Sequence, residues 1–193
     1  MWLEDADIDT LLNDAHSDLR SYPTKSPRAS LLNSTRMYEL LLNALNEMNA
    51  SQGSDQGGGP LADQIDLFVT TTDLNGLEAP IKLTDKSADE KIYRMVFHFQ
   101  SDGPRPGDFE RPFNRMLAFA ARCTSSFPVA FEPMSFNSMQ PNSQEEQDYK
   151  KFFERYVNRD AEYERRQFAD GGFLDNKPFS YAIDAIASQM KVP

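Results

Sequence analysis

From Lys91 to Gln100 the chain reads KIYRMVFHFQ, and Tyr93, Met95, Phe97 and Phe99 alternate there with Arg94, Val96 and His98. Only an extended backbone puts every second side chain on one side, so this run predicts a strand with one apolar face. The stretch IDLFVTTTDL, Ile65 to Leu74, is rich in β-branched residues and predicts another strand. Asn75-Gly76 follows it, the strongest short signal for a hairpin turn, and LEAPIKL after the turn predicts a return strand. A chain with these segments builds a sheet and has to cover its apolar side.

Helical patterns lie on both sides of the strands. Ile8, Leu11, Leu12, Ala15 and Leu19 predict a short helix over about Ala6–Leu19. Met37, Leu40, Leu41, Ala44, Leu45 and Met48 predict a longer one, capped by Ser34 or Thr35. NASQGSDQGGGP, Asn49 to Pro60, reads as a linker. After the strands, Asn114 is the expected cap of a helix carrying Met116, Leu117, Ala120 and Ala121. Ser143 with Glu146 predicts a capping box, ahead of a stripe of Tyr149, Phe152, Phe153 and Tyr156 on a surface helix packed by that aromatic face. Gln167 to Asp170 predicts a short strand. Asn176 and Pro178 predict the start of a last helix whose Phe179, Ala182, Ile183, Ile186 and Met190 face the core. This order predicts an α/β layered domain.

Composition narrows the function. The 193 residues are 39% hydrophobic with 14 Phe, enough to bury the core of one domain. A net charge of -10 and no basic stripe argue against nucleic acid as a partner. No apolar run reaches the roughly 20 residues of a membrane span, and MWLEDADIDT lacks the pattern of a secretory signal. A single cysteine, Cys123, excludes an internal disulfide framework and fits a reducing compartment. The expected location is cytoplasmic, with peripheral contact at membranes.

The stretch FADGGFLDNKPF concentrates the chemistry. Asp170 ends a strand just before a helix, where open α/β sheets place ligands. Gly171 and Gly172 permit close approach of a substrate or another chain segment. Two readings stand side by side. Asp170 bonds backbone amides of its own turn, or it takes a proton from a hydroxyl nucleophile. Elsewhere the candidates are thin. Cys123, amid small residues, reads as a packing residue. His98 reads as a strand histidine rather than a base, and His16 carries no signal. Two histidines and one cysteine without close spacing form no zinc pattern, and Asp63, Asp66 and Asp73 fit no EF-hand loop, so neither metal nor cofactor is expected.

ADGGFLDNKP resembles the second catalytic block of the patatin-like phospholipases, in which Asp-Gly-Gly or Asp-Gly-Ala precedes an Asn and a helix-opening Pro. Asp170, Gly171, Gly172, Asn176 and Pro178 match in order and spacing. FVTTTDLNG, Phe68 to Gly76, resembles the family's Ala-Thr-Asp strand and turn, and AARCTSSFPVAFEP, Ala120 to Pro133, its block of small residues. SLLNSTRMYELLLNALNEM, Ser30 to Met48, is similar to the helix before that strand in a bacterial patatin-related subgroup. The resemblance covers about residues 30 to 190 and leaves 1 to 29 as an N-terminal helix and loop.

The resemblance implies a serine–aspartate dyad, with no histidine, hydrolysing acyl esters of lipids on a three-layer α/β sheet. Asp170 inherits the role of base, and Asn176 an orienting role. The family's Gly-x-Ser-x-Gly nucleophile has no counterpart here, because no serine has glycines two places before and after it. GGGP at Gly57–Pro60 is not the family's oxyanion loop, since Pro60 removes a donor. Ser125 and Ser126 lie in the block that supports the site. The chain is therefore expected to be the C-terminal part of a single patatin-like domain, without the first strands and the nucleophile elbow. It would be inactive alone, and would act on a lipid or acyl ester once an upstream segment completes it. The other reading is a non-catalytic lipid- or protein-binding module, self-associating through the uncovered sheet.

Overall fold

The computed structural model describes residues 11–13, 30–52, 64–82, 87–102, 107–139, 143–156 and 163–189. Within them lie helix α1 (Ser34–Gln52), strands β1 (Ile65–Lys82) and β2 (Ser87–Ser101), helix α2 (Asn114–Thr124) and strand β3 (Met134–Ser135). Helix α3 (Ser143–Phe153), strand β4 (Gln167–Asp170) and helix α4 (Phe179–Gln189) complete the order. The strands form one antiparallel sheet in the order β2-β1-β4-β3. The fold is α/β, as expected.

The alternation in β2 sets the two faces. Met95, Phe97 and Phe99 are buried and stand opposite Thr71, Val69 and Leu67 of β1. Phe97 is the hub of this side. It meets Phe119 of α2, Phe152 and Phe153 of α3, Phe168 of β4 and Tyr156, with ring centroids 5.5–6.1 Å apart. Tyr149, Phe152 and Phe153 are all buried, so the aromatic stripe of α3 packs as the spacing predicts. On the opposite face, Phe68 stacks on His98 at 4.2 Å and on Tyr181 of α4 at 5.8 Å. Helices therefore flank the sheet on both sides.

The Asn75-Gly76 turn expected from sequence does not reverse the chain. β1 runs through it as a single strand of 18 residues, and Leu77 to Lys82 continue to pair with β2. The dipeptide is absorbed as a bulge, with the pairing shifted between Thr72 and Leu77. Gly76 takes the positive φ of 70° that the bulge needs, and Asp73 Oδ1 accepts the Asn75 amide at 2.9 Å. The reason is the length of the partner: β2 offers 15 residues to pair, more than a strand stopping at Leu74 would use.

The helix ends differ from expectation in a consistent way. Asn33, rather than Ser34 or Thr35, caps α1, its Oδ1 accepting the Arg36 amide at 2.9 Å. Tyr38 and Leu42 are the buried hydrophobic residues of α1, while Met48 is exposed. Asn114 spends its side chain on Asn46 and Asn49 of α1, at 2.8 and 3.0 Å, instead of capping α2. Tertiary contact takes the side chains of Ser34 and Asn114, which the local rule assigns to caps, Ser34 Oγ accepting the Arg122 guanidinium at 2.7 Å. The helix expected over Ala6–Leu19 falls largely outside the described residues. Within it Leu12 bridges to Leu32, so that helix does not run through Leu12.

The last helix is the largest correction. Phe179, Ile183 and Ile186 are 70%, 62% and 56% exposed, so the face expected to seek the core lies outward. Ala182 is exposed too, and Met190 lies outside the described residues. Tyr181 is instead the residue of α4 that meets the sheet. α4 starts at Phe179, so Pro178 stands before the helix rather than inside it. The Asn176 amide is turned toward Gly172, its Oδ1 3.4 Å from where a Cβ on that glycine would stand, rather than toward a helix end.

Candidate active site

Asp170 is placed by three neighbours. It is the last residue of β4 and pairs with Thr71 of β1, on the face that carries Met95 and Phe97. Its backbone amide donates to the carbonyl of Ser126, just past α2, at 3.2 Å. Its carbonyl accepts the Thr72 hydroxyl at 2.8 Å, and the Ala169 carbonyl accepts the Thr71 hydroxyl at the same distance. β1 thus holds β4 with side chains as well as backbone, which is why the polar run Thr70-Thr71-Thr72 can lie buried.

The turn after Asp170 is compact. Gly171–Phe173 form one 3-10 turn, and the Gly172 amide donates to Asp170 Oδ1 at 2.7 Å. The turn reading of this carboxylate is met, since Oδ1 caps its own turn, and Oδ2 has no partner among the described residues. Gly171 is required by crowding, because a Cβ there would sit 2.2 Å from the Thr70 carbonyl oxygen. At Gly172 a Cβ would come 3.0 Å from Asp170 Oδ1. Asp170, Gly171, Gly172 and Asn176 are brought together, and Pro178 follows at the helix start.

Ser126 meets Asp170 through its backbone carbonyl, and its hydroxyl is bound elsewhere. Its hydroxyl is buried, donates to the Arg122 carbonyl at 2.9 Å and receives the Arg122 guanidinium at 3.0 Å. Ser125 likewise donates to the Arg122 carbonyl, at 3.1 Å. Cys123 is fully buried, and burial pushes its thiol well above the ordinary range, so it packs as expected. His98 lies on the other face, its Nε2 2.7 Å from Asp66 Oδ1, where it is bound rather than facing Asp170.

Sequence reasoning missed two groups. Arg122 is fully buried, with its guanidinium 4.0 Å above the ring of Phe131 and donating to Ser34 Oγ at 2.7 Å. Burial pulls its pKa down to about 10. The available signal was its place in NRMLAFAARCT, a charge within the apolar block of a short helix. The second group is Asp73 and Arg166. Asp73 is wholly buried and pairs with Arg166, which also donates to the Gly76 carbonyl at 3.3 Å. Nothing in the spacing joined these two residues.

Among the described residues there is no group of three metal-ligating side chains, and no helix is long and apolar enough to cross a membrane. The sequence model of the patatin-like phospholipase family matches residues 3–183. Neither a curated protein nor a solved structure matches the chain.

Proposed function

The chain belongs to the patatin-like phospholipase family, and from that premise we propose that Asp170 is the base of a serine–aspartate pair hydrolysing acyl esters of lipids. The observation that carries this reading is the division of labour on the carboxylate. Gly172 fixes Oδ1 at 2.7 Å, which leaves Oδ2 for a hydroxyl proton. In the reaction a serine hydroxyl passes its proton to Oδ2 as its oxygen attacks the ester carbonyl. Asp170 then returns that proton to the leaving alcohol, takes another from the water that attacks the acyl-serine ester, and passes it to the serine oxygen as the acid departs.

The attacking serine is the part these 193 residues do not carry, since no Gly-x-Ser-x-Gly occurs among them and Ser125 and Ser126 are already bound. The serine would be supplied by a segment outside them. Phe173, Leu174 and Phe179, each more than half exposed, border the turn and suit the acyl part of a lipid.

The test compares ester hydrolysis by the 193-residue chain with hydrolysis by the chain joined to a segment bearing Gly-x-Ser-x-Gly. We expect no turnover of p-nitrophenyl butyrate and no fluorophosphonate labelling by the chain alone. The joined protein should hydrolyse the ester and lose about 10²–10⁴-fold of kcat on Asp170→Asn. Labelling of a serine within the chain alone, or a joined protein indifferent to Asp170→Asn, would overturn the proposal.

A further inference from the structure

β4 has only four residues, and its register rests on three pairs with β1 and two with β3. That is a thin specification for a strand whose last side chain matters. A slip by one residue moves each side chain about 3.3 Å along the strand and turns it to the opposite face. Asp170 would then face the His98 side of the sheet, away from Ser126.

Side chains at the start of the strand oppose such a slip. Arg166, the residue before β4, pairs with the buried Asp73 and donates to the Gly76 carbonyl at 3.3 Å. The Gln167 amide donates to Asn75 Oδ1 at 3.0 Å. All three acceptors belong to the bulge of β1 between Thr72 and Leu77. The burial of Asp73 sharpens the choice, because a carboxylate with no exposed surface is costly without its cation.

We propose that the Asp73–Arg166 pair, with Asn75, is a register lock that positions Asp170. The proposal rests on the reading of Asp170 as the base, yet it concerns the placement of the carboxylate and not its reaction. Asp73, Asn75 and Arg166 act through β4 and are positioning residues.

The test follows the Gly172 amide by NMR across a pH series, because that amide donates to Asp170 Oδ1 and its proton shift should step with pH as long as the bond is made. The variants are Arg166→Gln, Arg166→Lys and Asn75→Ala, with the core change Phe99→Leu as a control for lost stability. In Arg166→Gln and Asn75→Ala the Gly172 step should fall to about half or less, since the bond depends steeply on geometry. The cross-strand contact between Thr72 and Ala169 should weaken with it. Arg166→Lys, which keeps a cation beside Asp73, should retain most of the step, and Phe99→Leu all of it. Should Arg166→Gln fail to fold, Asn75→Ala, at an exposed residue, carries the comparison. An unchanged step in Asn75→Ala, an unchanged step in folded Arg166→Gln, or an equal loss in Phe99→Leu overturns the lock. The readout needs no turnover, so loss of the catalytic reading would leave it standing.

Discussion

A methyl group on Gly171 would stand 2.2 Å from the carbonyl oxygen of Thr70, whereas one on Gly172 would meet nothing closer than Asp170 Oδ1 at 3.0 Å. Two adjacent glycines therefore serve different ends. Gly171→Ala forces β1 and β4 apart and should cost about 3 kcal/mol in urea denaturation, at the upper end of overpacking. Gly172→Ala should cost well under half as much, since the contact it makes is with a side chain that can shift. Equal losses at the two positions would refute the crowding at Thr70.

Phe97 joins β2 to α2, α3 and β4 through five ring contacts. Phe97→Ala should destabilise the protein by about 3–5 kcal/mol, the range for an aromatic removed from a packed core. Phe127→Ala, at a ring 62% exposed, should leave the unfolding midpoint nearly unchanged.

Asp66 gives the fold an acid sensitivity. Burial raises its pKa, but hydrogen bonds from His98, Gln100 and Gln64 outweigh that and hold it below the ordinary carboxylate value of 3.8. A folded-state pKa below the unfolded one adds stability that is present above about pH 4 and is lost as pH falls through the folded value. Stability measured from pH 6 down to pH 3 should therefore drop more steeply in the wild type than in Asp66→Asn. Parallel curves would show that the contacts of Asp66 do not contribute.

Cys123 should resist alkylation while the protein is folded, because burial both covers the thiol and raises its pKa. Labelling by iodoacetamide should run at least about 10³-fold slower than in denaturant, following the small unfolded fraction. Rapid labelling under native conditions would contradict the packing of α2.

The sequence disclosed those parts of the fold that obey a local period. The face of β2, the aromatic stripe of α3 and the bounds of β4 could all be read from spacing, because burial repeats at the period of the element. The turn at Asp170 and its glycines was legible for a similar reason: turn chemistry is local. The bulge was not, since Asn-Gly serves a hairpin or a bulge equally well and the choice lies with β2. Ser34, Asn114 and Arg122 show the same limit. Each has side-chain partners set by packing between elements distant in sequence. The outward face of α4 failed for the complementary reason, as an apolar stripe states what a helix can bury without stating what stands opposite.

The hydroxyls of Thr71 and Thr72 reach carbonyls 98 residues further along the chain. Contacts so distant in sequence carry a heavy entropic toll during folding, and they form after local ones. While the protein is being synthesised, the hairpin of β1 and β2 must wait, with the β4 edge of β1 unpaired, for β4 to emerge. The site around Asp170 is thus among the last features of the molecule to come into existence. Conditions that slow late assembly, such as cold or crowding by unfolded neighbours, should deplete it before they disturb the hairpin.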